Sequence, residues 1–140
     1  NIPKGNKVEA DIYLQDAMAT SLELAGVEKP NYVFFNSVLD LAKGTETESH
    51  YDAIYGAYVN LQRMIRKDGF KLIVYPKLDK VLLFDMENDP EEMNDLSDNE
   101  AYAEKVNQLF SALLEKQKAL NDHLDLTNLS QKITARTIKG

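Results

Sequence analysis

The pair Asp68-Gly69 lies between "LQRMIRK" (61–67) and "FKLIVYP" (70–76), two runs rich in β-forming residues. Asp-Gly flanked in this way is the strongest short-range hairpin signal, because both residues of the tight turn need positive φ. A second turn at Lys77–Lys80 leads into "VLLFD" (81–85), and the aromatic-rich "AIYGAYV" (53–59) suits a strand ahead of the hairpin. The expectation is an antiparallel meander of three or four strands.

Helical patterns flank this sheet. From Tyr13, the positions Leu14, Ala17, Met18, Ser21, Leu22, Leu24 and Ala25 recur at helical spacing, with Gly26 as the stop. "SVLDLAK" (37–43) reads as a short helix closed by Gly44, and "TETES" (45–49) as a polar linker. In the last third, Tyr102, Val106, Leu109, Phe110, Leu113, Leu114 and Leu120 form one stripe opposite charged residues. That stripe suits a long helix packed on the sheet or a coiled-coil seam. Ser97 and Glu100 are spaced as a capping box for its start. After His123 the periodicity fades, and the tail reads as a surface strap or a partly disordered segment. The fold class expected is α+β, a small antiparallel sheet against a long C-terminal helix, preceded by one or two helices.

Composition limits the chemistry. The 140 residues contain no cysteine, which excludes disulfides, thiolate metal sites and a cysteine nucleophile. A net charge of -7 argues against phosphate-backbone binding, so no nucleic-acid partner is expected. No apolar run is long enough to span a membrane, and the first residues do not form a signal peptide. Asn1 is not an initiator methionine, so the chain reads as a processed or excised piece of something longer. His50 and His123 lie far apart outside any ligand spacing, and no nucleophile elbow, phosphate loop or zinc-helix motif occurs.

The carboxylate-rich stretch "LFDMENDPEEMNDLSDNE" (83–100) invites a calcium-loop reading. Asp85, Glu87 and Asp89 alternate suitably, yet Pro90 holds the place that needs glycine and Leu96 the place that needs glutamate. A proline turn followed by acids near the positive end of a helix accounts for the same residues. No catalytic and no metal-binding residue is therefore assigned.

The same stretch resembles the C-terminal signature of the type I, formylglycine-dependent sulfatases, bacterial polysaccharide and aryl sulfatases in particular. Leu83, Phe84, Asp85, Asp89, Pro90, Glu92 and Leu96 match it, while Asp95 replaces the usual asparagine. Arg66, Lys71, Leu72 and Ile73 are similar to that family's hairpin. "DAMATSLELAGVEKP" resembles its Asp-x-x-Pro-Thr-x-Leu-x-Leu-Ala-Gly helix at Asp16, Thr20, Leu22, Leu24, Ala25 and Gly26, with Ala19 in place of proline. "NSVLDLAKG" keeps Ser37, Leu39, Leu41 and Gly44 of a further segment, and "YGAYVNLQRMIR" is close to a version found in bacterial polysaccharide sulfatases.

The resemblance implies that 1–44 are the end of a large α/β sulfatase domain, 45–52 a linker, 53–126 the C-terminal subdomain and 127–140 a tail. It implies a sulfuric ester hydrolase acting on sulfated glycans or aryl sulfates. Its formylglycine and calcium would be supplied by the missing N-terminal part, so no cofactor is expected in this chain and no activity from it alone. The partner implied is that missing catalytic domain, with self-association through apolar surface of residues 12–42 in its absence. The family also suggests a periplasmic or exported location in a bacterium. A non-catalytic glycan-binding or protein-interaction module with the same fold is the alternative. Tyr55, Tyr58, Gln62 and Arg63 are the substrate-binding candidates: tyrosines can stack on sugars and arginine can grip sulfate. The competing account packs the tyrosines in the sheet and leaves Arg63 at its edge. Arg66 and Lys71 should face each other across the hairpin, with acidic partners such as Asp85 or Glu87 nearby.

Overall fold

The structure, a computed structural model, describes residues 2–137, with side chains through Thr134. The chain divides into two compact units, Asn1–Ile54 and Tyr55–Gly140.

The first unit holds two helices, α1 (Asp16–Leu24) and α2 (Leu39–Lys43). α1 starts three residues later than its apolar pattern because Asp16 closes a turn on Tyr13, accepting the Tyr13 N–H at 2.8 Å. Gly26 ends it at φ +67°, and the Val27 and Gly26 N–H groups return to the Leu22 and Glu23 carbonyls. The same paired bonds close α2, from Thr45 to Asp40 and from Gly44 to Leu41. Both are left-handed glycine stops that satisfy otherwise orphaned carbonyls. The Thr20 hydroxyl accepts from the Val38 N–H at 3.0 Å, which ties the two helices together. Segment 45–52, expected as a linker, is anchored to this unit. Ser49 Oγ donates to the Asp11 carbonyl at 2.6 Å, and the His50 ring lies 3.1 Å from the Ser37 carbonyl.

The second unit is built on a meander sheet in the order β1-β2-β3-β4, with β1 (Ile54–Tyr58), β2 (Gln62–Lys67), β3 (Phe70–Tyr75) and β4 (Lys80–Asp85). Asp68 and Gly69 both have positive φ, as the tight β2–β3 turn requires. A Cβ on Gly69 would also meet Glu87 Oε1 at 2.9 Å. The register sets Ile65 beside Leu72 and Leu72 beside Leu83, a row with no exposed surface. Helix α3 (Ala103–Ala119) packs on β2 and β3 and buries Val106, Leu109, Phe110 and Leu113. The stripe is thus a sheet-packing face, and Leu120 at its end is exposed. Outside β4, Leu96 N–H donates to the Leu83 carbonyl at 2.8 Å and Ser97 Oγ to the Val81 carbonyl at 2.9 Å. That segment covers an otherwise open sheet edge.

Two sequence expectations are corrected. Ser97 is not the cap of the long helix, because its hydroxyl is buried against β4. Asn99 does that work, its side chain accepting from the Ala101 N–H at 3.0 Å at the head of a short 3-10 turn, Glu100–Tyr102, that runs into α3. The tail from 127 is not a strap: Thr127–Thr137 is a helix, α4, packed on α3. Leu126 just before it and Leu129 and Ile133 on it are buried, too few apolar positions among the described side chains to establish a period. Asp125 accepts from the Thr127 N–H and hydroxyl at its start. Residues 138–140 of the expected tail lie outside the described residues. Leu129→Ala should therefore lower the stability of the chain by about 3 kcal/mol. Urea unfolding would show it, and a strap would leave the midpoint unmoved.

Candidate functional site

Three side chains of the second unit converge in its interior: Tyr55 from β1, Arg63 from β2 and Asp122 beyond α3. Tyr55 and Arg63 are buried although polar or charged. Asp122 is placed by the end of α3. Asn121 takes φ +53°, and the Asp122 N–H returns to the Gln117 carbonyl at 2.9 Å, so the chain reverses and the carboxylate turns back to the sheet. Gln117, also buried, fastens the loop by donating to the Leu124 carbonyl at 2.8 Å.

The Asp122 carboxylate is saturated. Its Oδ2 accepts from Arg63 Nε and from the Tyr55 hydroxyl, the latter at 2.6 Å. Its Oδ1 accepts from Arg63 Nη2 at 2.9 Å and from the Leu124 N–H at 3.1 Å. The remaining arm of the fork, Arg63 Nη1, donates to the Val59 and Gln62 carbonyls at 2.8 and 2.7 Å. This is a two-pronged guanidinium–carboxylate pair with its other donors also used, the arrangement that makes a buried ion pair tolerable.

The same hydrogen bonds set the charges within the cluster. Hydrogen bonding to Arg63 holds the Asp122 carboxyl well below the ordinary carboxylate range, against the opposing effect of burial. Burial, then the bond to Asp122, pushes the Tyr55 phenol up. The Arg63 guanidinium is raised by its bond to Asp122. These shifts favour the carboxylate, the neutral phenol and the guanidinium.

Of the four residues singled out in the sequence, Tyr55 and Arg63 meet at Asp122. Tyr58 is exposed on the end of β1, and Gln62 is half-buried and contributes its carbonyl to Arg63. Asp122 itself escaped sequence reasoning. Its signal was the Asn-Asp pair directly after the last apolar residue of a long helix. Arg66 and Lys71 are register partners as expected, and Lys71 has an acidic partner, Glu92, at 2.7 Å.

The first unit has a comparable centre. Asp16 is fully buried, and its carboxylate accepts the Tyr13 N–H, the Asn36 N–H and the Tyr51 hydroxyl. Tyr13 stacks edge-on to Tyr51 and Phe35 at ring distances of 4.7 and 5.7 Å. Burial and the bond to Asp16 push the Tyr51 phenol up to about 12.

The acidic stretch folds on itself. Asp85 accepts from the Asn88 side chain and from the Asn88 and Glu87 N–H groups, and Asp89 from the Met93 and Asn94 N–H groups. These bonds hold both carboxyls below their usual range. Asp95 accepts from Leu83 and Ser97. Among the described residues no three His, Asp or Glu side chains are grouped to hold a metal ion.

A meander sheet with one long helix across it defines an α+β domain. The chain belongs to the family described as N-sulphoglucosamine sulphohydrolase, C-terminal, whose model matches residues 1–119. It is 33% identical over 119 residues to an N-acetylglucosamine-6-O-sulfatase of Bacteroides thetaiotaomicron, an alignment covering 77% of this chain and 21% of that protein. It is 29% identical over 118 residues to an uncharacterized protein of Haemophilus influenzae, covering 81% of this chain and 60% of that one. The chain therefore spans about a fifth and about three-fifths of the two curated relatives' lengths. Among solved structures it is similar to BT4656 in complex with its substrate D-glucosamine-2-N,6-O-disulfate, with TM-score 0.63, 28% identity, and coverage of 77% of this chain and 24% of that one. The fold also matches a 2-O GAG sulfatase at TM-score 0.63 and 21% identity, over 74% of this chain and 24% of that one.

The Arg63–Asp122 pair has a stated pH signature. A depressed carboxyl contributes stability above its ordinary pKa, about 4, and that contribution drains away as pH falls through and below this value. Asp122→Asn should cost on the order of 3 kcal/mol at pH 7 by leaving the guanidinium without its counter-charge. The gap to the parent chain should narrow as pH drops below about 4. Urea titrations of both proteins from pH 7 to pH 3 measure it, and a constant gap would refute the assignment.

Proposed function

We propose that this chain is the C-terminal part of a sulfuric ester hydrolase acting on a sulfated glycan. In this reading it supports the catalytic domain and lends the rim of the substrate pocket, while the formylglycine nucleophile and the calcium ion belong to the catalytic domain. The division 1–44 as the end of the large domain and 53–126 as the subdomain is part of the same proposal. So is the view that Tyr58 and Gln62 lie on the ligand side and that Tyr55 and Arg63 support them.

The observation that carries the docking half of the reading is the apolar exposure of the first unit. Leu14 is 87% exposed, Phe34 84% and Tyr32 78%, with Met18, Leu24 and Val27 more than half exposed. α1 buries Asp16 and Ala19 and leaves Met18 in water, as is Leu14 in the turn before it. An apolar stripe of this kind marks a contact surface. The occupant proposed is the rest of the sulfatase domain. Sulfate ester hydrolysis also needs a nucleophile and positive charge at the developing oxyanion, and the buried cluster offers neither.

Sedimentation of the purified 140-residue chain should show concentration-dependent self-association through the uncovered stripe. Leu14→Asp with Met18→Asp should shift it to monomer without lowering its melting temperature. A parent chain that stays monomeric at millimolar concentration would count against the docking surface. Turnover of an aryl sulfate by the contaminant-free chain with calcium would overturn the division of labour.

A further inference from the structure

The β1–β2 turn holds a backbone conformation its residue does not favour. Val59 has φ +43°, in the left-handed region, where a β-branched side chain is a genuine outlier. Leu61 N–H donates to the Tyr58 carbonyl at 3.1 Å, closing a turn whose first central residue has positive φ, a place that favours glycine. Such strain persists only where surrounding structure over-determines it, and it gathers at ligand-contacting sites. Here the bracing is visible. Arg63 Nη1 holds the carbonyls of Val59 and Gln62 on either side of the tip, and Asp122 with Tyr55 holds Arg63.

The braced tip is open to solvent. Tyr58 is 61% exposed and Val59 69%. The neighbouring β3–β4 turn reaches it, with Lys77 Nζ donating to Asn60 Oδ1 at 3.2 Å. A side-chain amide and an ammonium group therefore meet at one end of the sheet, two residues along the chain from the exposed Tyr58. The Asn60 oxygen is taken by Lys77, which leaves its NH₂ to donate outward, and Lys77 keeps two further protons. The electrostatics are unusual for a chain of net charge -7: no acid occurs from Ile54 to Lys67. Asp79, in the β3–β4 turn, is neutralised by Lys132 at 2.8 Å.

We propose that this tip is a recognition ledge for a sulfated saccharide. The Tyr58 ring packs on a sugar face, the Asn60 amide meets a hydroxyl, and the Lys77 ammonium takes sulfate oxygens. Arg63 is a positioning residue that fixes the tip through the Val59 and Gln62 carbonyls. The inference rests on the sulfated-glycan reading above and names the residues that meet the ligand.

The test is titration of the ¹⁵N-labelled chain with a 6-O-sulfated N-acetylglucosamine disaccharide and with its unsulfated counterpart. The sulfated sugar should shift the amides of Tyr58, Asn60 and Lys77, and added salt should weaken it. Tyr58→Ala and Lys77→Ala should each weaken binding about tenfold, with melting temperatures unchanged. Val59→Gly accepts positive φ without strain, so it should keep or raise stability while weakening binding, a split that a purely structural turn would not give. Shifts confined to other residues, equal response to the unsulfated sugar, or unaltered binding by both alanine variants would overturn the ledge. Absence of binding would overturn it too, while leaving the docking reading, measured by sedimentation, intact.

Discussion

The second unit depends on one carboxylate. Asp122 gathers strand β1 through Tyr55, strand β2 through Arg63 and the loop after α3 through Leu124. A guanidinium this deep in the domain is tolerable only with a counter-ion and with its other N–H groups engaged. Both conditions are met by groups that also define the architecture, namely the helix end and the carbonyls bounding the β1–β2 turn. Packing of α3, the reversal into α4 and the shape of the turn are thus coupled.

The first unit repeats the device on a smaller scale. Asp16 stands in the first turn of α1, where the helix dipole favours a negative charge. It collects the Tyr13 N–H from its own turn, and the Asn36 N–H and Tyr51 hydroxyl from segments distant in sequence. The resemblance to sulfatases at Asp16 and Thr20 acquires a physical basis here, since these two residues bind the 36–38 segment to the helix. The carboxylate-rich signature after β4 is explained in the same terms. Asp85, Asp89 and Asp95 turn the chain by accepting its own N–H groups and lay Leu96 and Ser97 along the sheet edge.

Much of the fold was readable from short-range chemistry. Asp68-Gly69 dictates a hairpin because few residues tolerate two successive positive φ values, and Gly26 and Gly44 stop helices for the same reason. The spacing of Val106, Leu109, Phe110 and Leu113 carries the long helix. Less was readable where a role depends on a partner remote in sequence. Ser97 looks like a cap until β4 offers its carbonyl. Three apolar residues do not announce α4 until α3 provides a surface for them. Arg63 reads as a sulfate grip or a sheet-edge residue until Asp122 is brought against it.

The amino-acid sequence by itself determined the meander, the helix stops and the membership of a sulfatase C-terminal family, because these rest on local φ preferences, periodicity and short ordered motifs. The tertiary structure alone decided which charged side chains are architectural and which face water. That choice depends on pairing across 59 positions, from Arg63 to Asp122, and on the burial that follows. It leaves Tyr58, Asn60 and Lys77 outside, on a strained turn held from within.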